Sequence, residues 1–117
     1  MEKCSASIVN VSSMSSIKAL PTMSFYGYSK GGVGMLTKVV ALEYAEYGIC
    51  CNEVIPGYTM SELFVGPNAK QEMLTKAIPM KRIAEAREVA NATLFFASDE
   101  GSYCTADSLC TSGGMYR

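Results

Sequence analysis

The 117-residue sequence contains no histidine. That absence excludes a Ser-His-Asp triad, a Cys-His dyad, an HExxH zinc site and any histidine proton relay. An excess of charge of one sign is lacking as well. Ten Lys and Arg stand against eleven Asp and Glu, and no basic cluster occurs. The phosphate attraction on which nucleic-acid affinity largely rests is therefore missing, and neither nucleic acid nor an anionic membrane is expected as a partner. No apolar run approaches the roughly 20 residues of a membrane span. Glu2 and Lys3, followed by the polar stretch Cys-Ser-Ala-Ser, do not resemble a signal peptide. The five cysteines (Cys4, Cys50, Cys51, Cys104, Cys110) are odd in number, scattered and without a CxxC. That pattern argues against a zinc site or a disulfide framework, so no metal and no bridge is expected. Adjacent Cys50 and Cys51 would face opposite sides of a strand, either as two small buried hydrophobes or as a vicinal redox pair. Such usage suits a reducing, cytoplasmic setting. The sequons at Asn10 and Asn91 are then chance matches.

What is present, 49% hydrophobic and 18% charged residues, is enough for one small core and too little for two domains. Residues 7–13 (SIVNVSS) form a β-branched run whose apolar pair points to both faces, as in a buried parallel strand. Residues 24–47 can form one long helix, with Val33, Leu36, Val40 and Tyr44 (or Tyr47) on a single face and Gly48 at its C-cap. Gly31, Gly32 and Gly34 inside that helix each cost about 1 kcal/mol relative to alanine, so something must come close there. Residues 49–55 (ICCNEVI) read as a second strand ended by Pro56 and Gly57. Short helices follow at 67–77 and 87–97, then a last strand at 108–111. The order is that of an α/β fold with a parallel sheet.

Tyr26 and Lys30 are four residues apart and share a helix face. A phenol is a poor acid or base at neutral pH. An ammonium about 4 Å away favours the phenolate by roughly 4 kcal/mol at an effective dielectric near 20, or about 3 pKa units. Lysine is thus the neighbour that tyrosine acid–base chemistry needs. Alone the pair is weak evidence, since the same spacing is far more often a surface lysine lying over a ring. Its context is more specific, because residues 10–13 (NVSS) deliver hydroxyls to the carboxyl end of a parallel strand, where open sheets place their sites.

With SIVNVSS, YGYSKGG, NEVIPG, IPMKR, EVANATLFFASDE and a terminal SGG in this order, nearly the whole chain resembles the C-terminal half of the short-chain dehydrogenase/reductases. It is most like the dicarbonyl/L-xylulose reductases and neighbouring carbonyl reductases. The resemblance implies the C-terminal part of a Rossmann-like doubly wound parallel sheet, about three strands with flanking helices, within one partial domain over residues 1–117. It implies Ser13, Tyr26 and Lys30 as the catalytic set. Tyr26 would be the general acid/base, Lys30 would lower its pKa and hold the nicotinamide ribose, and Ser13 would bond the substrate oxygen. Pro56, Gly57 and Thr59 would lie beside the nicotinamide carboxamide, with Ser61 further along the same loop. NADP or NAD is the implied cofactor, a small carbonyl or alcohol the substrate, and a homo-oligomer the full-length state. Tyr28 reads as a pocket-lining or surface ring.

Departures from the family pattern accompany the likeness. No GxGxxG occurs, and Gly31-Gly32-Val33-Gly34 falls inside a helix rather than between strand and helix. The N-terminal nucleotide-binding half is therefore expected to be missing. Cys50 stands where arginine is usual, Glu53 where a small residue is usual, and Ser112 where the terminal motif has aspartate. A carboxylate at 53 in a buried strand requires a polar surround. Three readings follow. In the first, the chain carries the catalytic half of an oxidoreductase and is inactive alone. In the second, it is a non-catalytic remnant that associates through its long helix. The third is an unrelated α/β binding module.

Overall fold

In the computed structural model, residues 4–14, 24–60 and 69–115 are described, the side chains of residues 24–26 and 69–70 excepted. The first β-branched run forms β1 (Ala6–Val11), and helix α1 (Ser24–Tyr44) continues into a single 3₁₀ turn, Ala45–Tyr47. Gly48 ends that turn at φ 75°, in the left-handed region that glycine enters without a Cβ penalty, and its N–H donates back to the Ala45 carbonyl at 3.0 Å. Strand β2 (Ile49–Pro56), helix α2 (Ala69–Ala77), helix α3 (Ala86–Ala97), a 3₁₀ turn at Asp99–Gly101 and strand β3 (Ser108–Thr111) complete the order. The strands lie β1-β2-β3, both pairings parallel, with Val11 opposite Val54 and Pro56 opposite Thr111. The expected α/β order holds, and α3 begins one residue early at a capping box in which Glu85 and Glu88 bond each other's backbone N–H. Residues 67 and 68, where the sequence suggests that α2 starts, lie outside the described residues.

Two expectations about burial are corrected. β1 is an edge strand with Ile8 and Val11 exposed, because it is paired on one side only among the described strands. On α1 the buried stripe is Thr37 and Ala41, with Gly34 against β2, rather than Val33, Leu36 and Val40; Leu36 is 57% exposed. A close helix–sheet approach favours small side chains on the contact face, and that requirement overrides hydrophobic periodicity here. Gly34 is where the close approach occurs. A Cβ there would meet the Glu53 carboxylate oxygens at 3.3 and 3.4 Å.

The sheet has two unlike faces. On one, Val54 packs with Ala92 and Phe96 of α3, joined by Val9, Val89 and Cys104. On the other, Asn10 Nδ2 donates to Thr37 Oγ1 at 2.9 Å, and that hydroxyl donates to the Val33 carbonyl at 2.8 Å. Glu53, 4% exposed, accepts from Ser108 Oγ at 2.7 Å, while its Oε2 is buried without a partner. The polar surround that the sequence demands is thus supplied by one hydroxyl. At the centre, Asn52 is fully buried, donates through Nδ2 to the Cys104 carbonyl at 2.9 Å and accepts the Asp107 N–H at 3.0 Å. Both bonds shape the turn that leads into β3.

The cysteine expectation is also corrected. Cys4 and Cys50 are joined in a disulfide, with Cα atoms 5.9 Å apart and 46 residues between them in sequence. The Ser5 N–H donates to the Gly48 carbonyl at 2.7 Å, one step beyond β1, and the chain bends at Ser5, which turns residue 4 toward Cys50. Cys51 lies on the opposite face from Cys50, buried as expected, and desolvation pushes its thiol pKa up.

Candidate active site

All three strands run the same way, so their carboxyl ends share one edge of the sheet, and β1, β2 and β3 end there at Val11, Pro56 and Thr111. That edge gathers most of the residues singled out in the sequence. Beyond Val11, the Ser12 N–H donates to the Val54 carbonyl at 2.9 Å, which extends the ladder by one bond. Ser12 Oγ donates to the Lys30 carbonyl at 3.2 Å, and Lys30 Nζ donates to the Val11 carbonyl at 3.2 Å. Two reciprocal bonds therefore fasten the front of α1 to the end of β1. Ser13 follows, half-buried. Tyr26 lies one turn before Lys30 in α1, and its ring is outside the described side chains. Tyr28 is 88% exposed, a surface ring.

The second strand end contributes a turn. The Gly57 N–H donates to the Thr111 carbonyl at 3.0 Å, and a Cβ at Gly57 would lie 2.9 Å from Ser112 Cα. Only glycine permits that approach, so the turn after Pro56 is held against the end of β3. Thr59 then forms a parallel bridge with Ala84, in which the Met60 N–H donates to the Ala84 carbonyl at 2.8 Å and the Ala84 N–H to the Tyr58 carbonyl at 3.1 Å. In such a bridge the N–H and C=O of the central residue point the other way. Thr59 thus directs its own peptide groups away from residue 84, and its hydroxyl donates to the Gly57 carbonyl at 3.2 Å. Ser61 lies outside the described residues.

The structure brings Ser13, Lys30, Pro56, Gly57 and Thr59 to one sheet edge and puts Tyr26 on the helix that borders it. Sequence reasoning missed Ser12 as the tie to α1. Its only signal was the run of two serines after a strand. Arg82 was missed too. Its guanidinium grips Glu88 bidentately at 2.6 and 2.8 Å and pins the loop carrying Ala84 to the first turn of α3. Among the described residues, no three His, Cys, Asp or Glu side chains cluster as a metal would need, and no helix is long and apolar enough to cross a membrane.

Comparison with known proteins gives consistent matches. A family described as enoyl-(acyl carrier protein) reductase matches residues 1–116. A 7alpha-hydroxysteroid dehydrogenase from Paraclostridium sordellii is 38% identical over 97% of this chain and 44% of its own length. Among solved structures, a gluconate 5-dehydrogenase from Burkholderia cenocepacia, in complex with NADP and tartrate, superposes with a TM-score of 0.86 at 35% identity, covering 93% of this chain and 44% of that one. A short chain dehydrogenase family protein from Francisella tularensis reaches 0.90 at 30% identity over 97% and 52%. The chain spans about half the length of the curated relatives it matches. Its three parallel strands and flanking helices correspond to that share of a Rossmann-type sheet.

Proposed function

The chain belongs to the short-chain dehydrogenase/reductase family, and from that premise we propose that residues 1–117 are the catalytic part of an oxidoreductase domain acting between NAD or NADP and a small carbonyl or alcohol substrate. A nicotinamide dinucleotide supplies hydride for reduction and takes it in the reverse direction. The remaining chemistry belongs to the strand-end residues. Tyr26 gives a proton to the carbonyl oxygen or takes one from the alcohol. Lys30 sets a positive charge one turn away, which favours the phenolate, and offers a donor to ribose hydroxyls. Ser13 bonds the substrate oxygen and stabilises charge developing there. Thr59, beyond the Pro56–Gly57 turn, offers its peptide N–H and C=O to a carboxamide, with Ser61 next along.

These residues fit the nicotinamide end of such a cofactor, since an ammonium, hydroxyls and outward-directed peptide groups are the partners a ribose and a carboxamide need. They include no phosphate cradle, because the sequence has no glycine-rich turn between a strand and a helix. Turnover by these 117 residues alone is accordingly not expected. The proposed setting is cytoplasmic, and the dicarbonyl and L-xylulose-like sugars suggested by the sequence are the first substrates to try.

The observation that carries the reading is the Lys30 ammonium on the Val11 carbonyl, directly before Ser12 and Ser13, with Tyr26 one turn earlier on the same helix. The test is a chimera that joins residues 1–117 behind the N-terminal segment of the Paraclostridium relative. Tyr26→Phe should lower kcat/KM for carbonyl reduction by about 10²–10⁴-fold with the melting temperature unchanged. Retention within tenfold would refute the assignment.

A second reading has its own observation. α1 exposes Met35, Leu36 and Leu42, and β1 exposes Ile8 and Val11. That much apolar surface on one helix and an edge strand suits a chain that associates with further copies, catalytic or not. Light scattering after size exclusion should show species larger than one chain; a monodisperse monomer would remove this reading.

A further inference from the structure

The amino-terminal edge of the sheet, opposite the candidate active site, carries a second chemical feature. Cys4 precedes β1, and Cys50 is the second residue of β2. Their approach is set by the backbone. Ser5 is bonded to Gly48 at 2.7 Å, and Ala6 pairs with Ile49. That ladder sets Cys50 opposite Ser7, so it is the bend at Ser5 that turns residue 4 back to Cys50, with the two Cα atoms 5.9 Å apart, inside the 4.4–6.8 Å bridging range. The Cys4 Sγ lies 3.3 Å from the Ser102 carbonyl oxygen, an acceptor within reach of the S–H once the bond is reduced. Cys50 is buried and Cys4 half-buried, so one of the two thiols is open to a reagent in solution. The nearest competitor in sequence, Cys51, sits on the other face of β2 beneath Asn10. Cys104 packs against the core around Val54.

We propose that Cys4 and Cys50 are a reversible thiol–disulfide site that exchanges two electrons with a low-molecular-weight disulfide and so fastens or releases the start of the edge strand. In the oxidising direction, the Cys4 thiolate attacks one sulfur of the small disulfide and expels one thiolate. The Cys50 thiolate then attacks the Cys4 sulfur of the mixed disulfide and expels the second. The reagent's S–S bond is reduced to two thiols, the protein pair is oxidised to one S–S bond, and the two cysteine protons pass to the departing thiolates. Reduction runs the same steps backwards. The site makes no use of the candidate active site, and its test needs no turnover.

The purified chain is equilibrated without denaturant in oxidised and reduced glutathione at graded ratios, quenched in acid, alkylated with N-ethylmaleimide and digested with trypsin. Cys4 falls in residues 4–18, and Cys50 and Cys51 both fall in residues 39–70, so Cys51→Ser is carried through in parallel. Expected is a loss of two alkylated cysteines together along the series, with the two peptides cross-linked at the oxidising end and separate at the reducing end. The cross-link should persist in Cys51→Ser and vanish in Cys50→Ser. Cys4 and Cys50 remaining alkylated at every ratio would overturn the proposal. So would a link that survives the reducing end in the native protein, or one that vanishes in Cys51→Ser.

Discussion

On the face covered by α3, the centre of the sheet presents Val54 to Ala92 and Phe96; on the face covered by α1, the adjacent residue of the same strand presents a carboxylate to Gly34. Burial of a large apolar side chain contributes about 1.5–3 kcal/mol. A buried polar atom without a partner costs about 1–3 kcal/mol. Stability therefore comes mainly from the α3 face, whereas the α1 face fixes position. Its small residues and directional bonds, Asn10 to Thr37 and Ser12 to Lys30, hold the helix that carries Tyr26 and Lys30 at a set depth against the strand ends.

The contrast is broken most severely at Phe96. Phe96→Ala should lower the unfolding free energy by about 3–5 kcal/mol, read from urea titration, because it empties the centre of the apolar face. A loss below about 1 kcal/mol would move the core elsewhere. A finer test lies on the polar face. Gly34→Ala in the parent presses a methyl against the Glu53 carboxylate and should leave stability near zero change or slightly lower. In the Glu53→Ala background the same substitution should gain about 1 kcal/mol, the helix preference of alanine over glycine. Additive effects in this double-mutant cycle would mean that the glycine is not there for the carboxylate.

The smallest effect is at the rim of the apolar face, where Glu88 is held at about 2 by its bonds to the Arg82 guanidinium and then the Glu85 N–H. A folded-state value below the ordinary 4.5 means that Glu88 stabilises the fold above that ordinary value and loses the contribution as pH falls toward 2. The melting-temperature difference between the parent and Glu88→Gln should be positive at neutral pH and shrink through that acid window. Its magnitude will be small, since both partners face solvent. A difference independent of pH would show that the ion pair contributes nothing.

The sequence and the structure agree where local chemistry decides. Residues 108–111 form a strand as read, Gly48 caps the 3₁₀ turn that ends the helix, and of the glycines in α1 read as marking a close neighbour Gly34 has one in Glu53, whereas a Cβ at Gly32 would meet nothing within 4 Å. They part where a long-range fit decides. The buried face of α1 was misread because Val33, Leu36 and Val40 mark an amphipathic period, while contact with the sheet selects Gly34, Thr37 and Ala41. The link between Cys4 and Cys50 depends on the bend at Ser5 before β1, which no spacing in the sequence reveals. At the candidate site, the residue types and their order were legible. The tie through Ser12 was not, because it depends on how α1 meets the end of β1.

Asn52 has a consequence for how the sheet assembles. β3 has only four residues, and a strand that short has few ladder bonds with which to tell its correct alignment from one displaced by a single residue. Such a slip would turn Ser108 away from Glu53 and reverse the facing of every residue in the strand. The Asn52 amide holds the Cys104 carbonyl with one end and the Asp107 N–H with the other. It thereby moulds the approach to β3 from the middle of β2, and the alignment is fixed one residue before the strand begins. β3 is in this sense positioned by a buried amide as well as by its own pairing, and the carboxyl-end turn at Ser112 follows from both.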